Sequence, residues 1–415
     1  MSGRRDSSRR TQGSPARAPT RFRFAHASFP DWRVCTERLL EQLASQQADP
    51  DHFPRANLGI VYISTTLAEH TEDIRALLSA RTGIADWAGA IGGSLMASGI
   101  AYHDEPAIVA MLLTLPSGSF QVFNGTTRPR SAGSHTLTGA WSNWSALVHA
   151  DPTLPDMAEL VTDMAMKVEG GHLFGAVASG DAVPLPQIAN RTLEGGLSGV
   201  VFSSDVRLRT RLTQGWVPLA ASHQVSRCEE NLVLELDGHP ALDVLLQDLG
   251  IDEQTRASRD GQVLLGAFPA QRLRQGLLAG LGSALASRRP DVAADWQGRS
   301  VMGIDPQNRV VAIGGEPVLG ERLVFCTRDT GAARRDLIGM VTALRDEIES
   351  EGLNIKGGLY FTCMGRGETL VGQLDDETSI LRENLGGIPL IGLAANGEIA
   401  GRHLHSFSGV LTLFL

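Results

Sequence analysis

The stretch "GLAANGEIA", residues 392–400, is the one on which the fold of this chain turns. It starts on a glycine, passes small residues to a turn at Asn396-Gly397, and runs on into an apolar segment. Two earlier stretches share the plan, "GAIGGSLMA" (89–97) and "GAVASGDAV" (175–183). The first and third also follow comparable units, a β-prone run and then a helical one, at 58–81 and 357–385. Internal self-similarity is the usual mark of repeated architecture. Short Gly/Ala strings also coincide by chance, so duplication of a related unit and coincidence both stay open.

Outward from these stretches, strand and helix patterns alternate. "LGIVYIS" (58–64) reads as a strand. A helix is expected from "TLAEHTEDIRALLSAR", with Thr66 and Glu69 at capping-box spacing and Leu67, Ile74, Leu77 and Leu78 on one face. "AIVAMLLTLP" (107–116) and "SFQVF" (119–123) are expected to pair as a hairpin through Pro-Ser-Gly. Met157, Leu160, Val161, Met164 and Val168 make a helical stripe suited to core packing. Residues 172–178, 196–202 and 231–238 read as strands, and "PALDVLLQDLG" as a helix ended by Gly250.

Further on, "QRLRQGLLAGLGSALA" (271–286) is expected to be helical, with strands at 300–304, 310–314 and 322–328. Leu337, Met340, Val341, Leu344 and Ile348 recur at three- and four-residue steps and mark the clearest helix. Strand 357–363, a helix over 375–385 and two apolar strands complete the chain. The class expected is α/β, in α+β layers with mixed sheets flanked by helices. The organisation expected is a disordered basic tail over 1–24, one domain over 25–238 and a second over 239–415, divided at Gly238-His239.

Bulk properties narrow the function. The chain has 415 residues, 42% hydrophobic and 20% charged, with a net charge of −9. An acidic balance disfavours a protein that must neutralise many phosphates. No apolar run approaches the roughly 20 residues a membrane helix needs. Cys35, Cys228, Cys326 and Cys363 lie far apart with no C-x-x-C pair, which suggests neither a zinc cluster nor a disulfide scaffold. The first 24 residues carry seven arginines against one acid and lack the apolar core of a secretory signal. A cytoplasmic location is expected, without membrane or nucleic-acid partners.

The chemistry concentrates in "GGLYFTCMGRGETLVG", residues 357–372. A strand ends on Cys363 and enters Gly365-Arg366-Gly367, a turn that frees backbone amides beside a guanidinium. Those groups would lower a thiol pKa. Alternation, however, puts Cys363 on the side of Leu359 and Phe361, the core side of a one-sided sheet. The glycine spacing is not that of a dinucleotide loop, and no P-loop or G-x-S-x-G elbow occurs. His403 and His405 share a face with Glu398 nearby, and His103, Asp104 and Glu105 cluster, but neither group has a full ligand set. No metal site and no cofactor is implied.

The residues so assembled resemble the FIST family. The N-terminal FIST domain is matched in character by "GIVYISTTLAEHTEDIRALLSARTGIADWAGAIGGSLMASGIAYHDEPAIVAMLLTLPSGSFQVF" and by "QGWVPLAASHQVSRCEENLVLELDGHPAL". The C-terminal domain is matched by C-x-G-R-G at 363–367 and by P-x-x-G-x-x-x-N-G-E-I from Pro389. The resemblance implies a sensory module for small ligands, with amino acids a proposed class, acting through a signalling partner. It supplies no catalytic residues, so no enzyme activity is expected.

The ligand-binding residues expected from the chemistry are Cys363, Gly365, Arg366, Gly367, Asn396, Gly397 and Glu398. Arg366 would take a carboxylate by its two-pronged donor, and Asn396 and Glu398 would meet an ammonium or amide. An adaptor that binds only protein, and a cysteine-dependent enzyme, are the alternatives.

Overall fold

The computed structural model describes residues 21–47, 55–125, 135–136, 139–140, 143–180, 185–251, 276–283, 296–367 and 374–415. A strand that returns beside itself in the same direction needs a crossover, usually a helix. Three such units occur. Lead strand Leu58–Ser64, helix Thr71–Thr82 and strand Asp86–Gly92 form the first; Ser145–Ala150, Met157–Met166 and His172–Val177 the second; Gly357–Cys363, Leu374–Leu385 and Leu390–Ala395 the third. All three strand pairs are parallel, and each sets one glycine against one lead-strand residue: Gly89 on Val61, Gly175 on Val148, Gly392 on Tyr360.

These are the glycines that open the three similar stretches. A Cβ on Gly89, Gly175 or Gly392 would stand 1.9, 1.9 or 1.7 Å from the carbonyl oxygen of its partner. Only a residue without a side chain lets the two backbones approach so closely. The resemblance of the stretches is therefore structural, and it extends to three copies.

The rest of each unit repeats too. A short hairpin follows, Ser94–Ala97 with Ile100–His103, Gln187–Ala189 with Thr192–Leu193, and Gly397–Gly401 with His403–His405. A return strand then pairs antiparallel with the lead strand: Ala107–Leu113, Leu197–Phe202 and Gly409–Phe414. Outside each return strand lies an edge strand from earlier in the chain, Arg23–Ser28, Phe120–Phe123 or Leu208–Thr213. Each six-stranded sheet is completed by a neighbour's hairpin. The second unit lends its hairpin to the first, the third to the second, and the first to the third. This closed exchange ties residues near 94–103 to residues near 390 in one sheet.

The three sheets share one core. One position beyond the glycine partners stand Tyr62, His149 and Phe361, whose rings meet edge-on at centroid distances of 5.6, 5.9 and 6.5 Å. Their inward neighbours, including Leu147, Phe174, Leu359, Leu393 and Val410, fill the common interior. The outer faces carry helices. Trp32–Gln47 and Thr71–Thr82 cover the first sheet, Met157–Met166 the second, Thr330–Ser350 and Leu374–Leu385 the third.

The third unit is interrupted. In the first, edge strand and helix are joined by Phe29-Pro30-Asp31, and Asp31 Oδ1 accepts from Val34 N at 2.9 Å. In the third, Asp329 caps the equivalent helix through Ala332 N, but residues 216–328 intervene. The described residues of that segment form an antiparallel sheet of their own. Strands Arg322–Arg328, His223–Glu229, Leu232–Leu236, Val310–Ile313, Trp296–Asp305 and Leu277–Gly282 pair in a ring, the last returning to the first. A closed barrel has no free edge. Helix Ala241–Asp248 packs into its interior with Leu242 and Leu245.

An α/β class with mixed sheets describes the molecule, and four local expectations are corrected. Residues 107–113 and 120–123 do not form a hairpin. The former is buried along its whole length and is paired on both sides, so 120–123 joins the next sheet. Leu277–Gly282, expected to be helical, is a barrel strand. Gly280 and Gly282 weaken a helix, and neighbours on both sides take up the backbone groups. The remainder of 271–286 lies largely outside the described residues. Thr66 and Glu69 make no capping box, because Thr65–His70 is a 3-10 turn and the α-helix begins at Thr71. Residues 23 and 24, assigned to the tail, start the first edge strand, and residues 1–20 lie outside the described residues.

Candidate functional site

In sheets with parallel strands, crevices form where carboxyl ends splay apart. Strands Gly357–Cys363 and Leu390–Ala395 end side by side, and the chain leaves the first through a single helical turn, Met364–Gly367. Above them sits the barrel. Between the two lies a cavity of about 250 Å³, lined on the core side by Cys363, Met364, Gly365, Asn396 and Phe407, and on the barrel side by Arg299 among others.

The expected residues divide. Cys363, Gly365 and Asn396 reach the cavity. Gly367 closes the helical turn, and Gly397, off the cavity wall, starts a buried strand opposite Val177. Arg366 is turned away from the cavity, which corrects the expectation that it would face a carboxylate. It is wholly buried, and its guanidinium is spent on protein: Nε on Glu377 Oε1 at 2.8 Å, Nη1 on the carbonyls of Thr213 and Gln214 at 3.1 and 2.9 Å, Nη2 on Thr213 Oγ1 at 3.1 Å.

Glu398 is also wholly buried and inside the sheet, opposite Ala176 on one side and His405 on the other. Its Oε2 accepts from Ser408 N and Oγ at 3.3 and 2.5 Å, while Oε1 and the nearby His405 Nδ1 have no hydrogen-bond partner among the described residues. A carboxylate in so dry a place is costly, and burial pushes the Glu398 pKa well above the usual carboxylate range. Glu398 is a buried acid beneath the site rather than an acceptor on its surface.

Family models match this chain in two consecutive blocks, the FIST N domain over residues 57–239 and the FIST C domain over residues 241–401. The chain belongs to the FIST family. FIST domains are associated with sensory or signal-transduction roles. The chain is similar to an uncharacterized protein of Mycobacterium tuberculosis strain H37Rv, 28% identical over 381 residues, covering 86% of this chain and 91% of the other. A relative from Mycobacterium bovis is 29% identical over 370 residues, 83% of this chain and 88% of its own. Among the described residues, no helix of this FIST protein is long and apolar enough to cross a membrane.

The charge of the FIST cavity comes from residues the sequence did not single out. Arg299 lies in the barrel strand Trp296–Asp305 and lines both this cavity and a second one of about 370 Å³, with Gln297, Glu316, Glu321 and His403. Its Nη2 donates to a neutral amide oxygen, Gln297 Oε1, at 2.6 Å, and burial lowers its pKa. Arg328 stacks over the Phe407 ring at 4.1 Å and is felt electrostatically by Cys363. His405 is held near pKa 4 by burial and by His403. An arginine in the middle of a β-prone strand, "WQGRSVMGID", was the one available signal for Arg299. Nothing in one sequence joins it to Cys363.

The sequence left the thiol between a reactive and a core reading, and its surroundings favour the protonated, buried one. Burial, then the Glu398 carboxyl, push Cys363 up to about pKa 12, while the Phe407 and Gly365 amides and Arg328 only partly offset them. The arginine expected to activate it faces elsewhere. Among the described residues no cluster of three His, Cys, Asp or Glu is placed to hold a metal ion.

Proposed function

We propose that this FIST protein is a sensor that takes a small carboxylate, an amino acid or a similar metabolite, into the cavity between barrel and third unit. The observation that carries the reading is Arg299, a half-buried guanidinium that lines the cavity and makes no ion pair with a described residue. A largely desolvated cation in no direct ion pair, with Glu321 acting on it only from a greater distance, favours an anionic ligand, and a carboxylate matches its fork of donors. Met364 and Phe407 offer apolar surface for the rest of the ligand, and Asn396 a neutral donor and acceptor.

Binding rather than catalysis is the role proposed for Cys363, since a thiol at about pKa 12 supplies little thiolate near neutrality. Four free cysteines fit a reducing cytoplasm, and a partner protein would receive the signal. Thermal-shift screening of the L-amino acids and small dicarboxylates, followed by calorimetry on any hit, tests the reading. At least one should stabilise the wild type, and Arg299→Ala should weaken its binding by about tenfold or more, the worth of a charged hydrogen bond. A panel without a single stabilising compound refutes the proposal.

A further inference from the structure

Two bodies meet at the cavity, and each has a core of its own. The barrel's interior draws on residues such as Val225, Leu245, Leu281 and Phe325, all within 216–328, and the three-sheet interior draws on none of the described residues of that segment. Between them lies a small apolar seat, Trp216, Leu278, Trp296, Val324 and Cys326 from the barrel against Phe407. Bodies with separate cores and a small mutual interface move relative to one another by default.

The chain passes from core to barrel at Thr213-Gln214-Gly215, and this crossing is gripped from the core side. Arg366 holds both carbonyls and the Thr213 hydroxyl, and Asp336 Oδ2 accepts from Gln214 N at 2.9 Å and from Thr213 Oγ1. Gly215 follows at φ +75°, and a Cβ there would stand 2.5 Å from that of Ala333. Arg366 belongs to the same helical turn whose first residues line the cavity.

Resting on the sensor reading above, we infer that the 216–328 barrel is a hinged cover over the Cys363 cavity, and that Arg366 couples the cavity turn to the hinge at Thr213-Gln214. Displacing the turn from the cavity side would shift the guanidinium and slacken the crossing strand. Loosening the crossing would in turn lift Arg299, Ser300 and Gly314 off Cys363. The barrel's seating is then the output of the sensor.

The test needs no ligand, so it can fail or succeed apart from the calorimetry. Cys363 lies under the cover, whereas Cys35 sits in the core of the first unit at 0% exposure. N-ethylmaleimide labelling of the native full chain, resolved by peptide mass spectrometry, reports both in one sample. Thr213→Val removes the hydroxyl shared by Arg366 and Asp336. Asp336→Ala, on a half-buried helix position, removes the second grip and leaves the core packing intact. Each variant should label Cys363 about tenfold faster than wild type with Cys35 unchanged. An unchanged Cys363 rate, or a rise in which Cys35 keeps pace through global unfolding, overturns the hinge.

Discussion

Arg366 Nε meets Glu377 Oε1 at 2.8 Å, with both side chains at 0% exposure. The pair is completed by Tyr360, whose hydroxyl donates to Glu377 Oε2 at 2.9 Å. Charges removed from water are tolerated only when paired and hydrogen-bonded, and this pair lies between the helix Leu374–Leu385 and the crossing to the barrel.

Removing one partner should therefore be severe. Arg366→Ala leaves Glu377 buried without its counter-charge and is expected to lower unfolding free energy by about 3–5 kcal/mol. Urea titration measures it. A loss below about 1 kcal/mol would mean that the pair is not buried as described.

The three close-approach glycines make a comparative prediction. Gly89→Ala, Gly175→Ala and Gly392→Ala each drive a methyl into a backbone carbonyl, which no rotamer change relieves. Each should cost about 3 kcal/mol or more, at the upper end of overpacking effects. Thermal melts of the three variants in parallel check it, and one freely tolerated substitution would break the equivalence of the units.

The axial histidine predicts a pH dependence. Burial lowers His149 from its ordinary 6.5 to about 3, so the folded state keeps it neutral while the unfolded chain takes up a proton. Its contribution is intact above 6.5 and is lost as pH falls toward 3. At pH 5 that loss approaches about 2 kcal/mol, at 1.36 kcal/mol per pH unit. His149→Phe, which repeats the Phe361 solution of the third unit, should flatten the fall in urea midpoint between pH 7 and pH 5. A fall of the same size in the variant would assign the acid sensitivity elsewhere, His405 being the next group.

Thiol chemistry offers a simple check on the binding role. Cys363 in the wild type should react with N-ethylmaleimide at pH 7 far more slowly than a free thiol, because burial and Glu398 both oppose its ionisation. Reaction faster than free cysteine would return the enzyme reading to the front.

How much of this was legible in the chain varies by element. The lead strands, the Met157–Met166 stripe and the helix around Leu337 to Ile348 are written as local periodicity, so they were readable. Leu277–Gly282 was misread because a short apolar run fits either element, and only its neighbours decide. At the site, the position of Cys363 on the inward face followed from alternation. The orientation of Arg366 did not, since a turn residue faces solvent or core according to what packs above it.

The sequence by itself determined the family, the mixed α/β class and the recurring glycine that begins each similar stretch, because each is carried by residue identity at fixed local spacing. Tertiary structure alone decided that the copies are three, that they exchange hairpins in a ring, and that a barrel inserted in the third roofs Cys363 with Arg299. Those facts rest on pairings between residues as far apart as Met96 and Gly392, and a pattern read over a few neighbours holds no information about which distant backbone satisfies a strand's open edge.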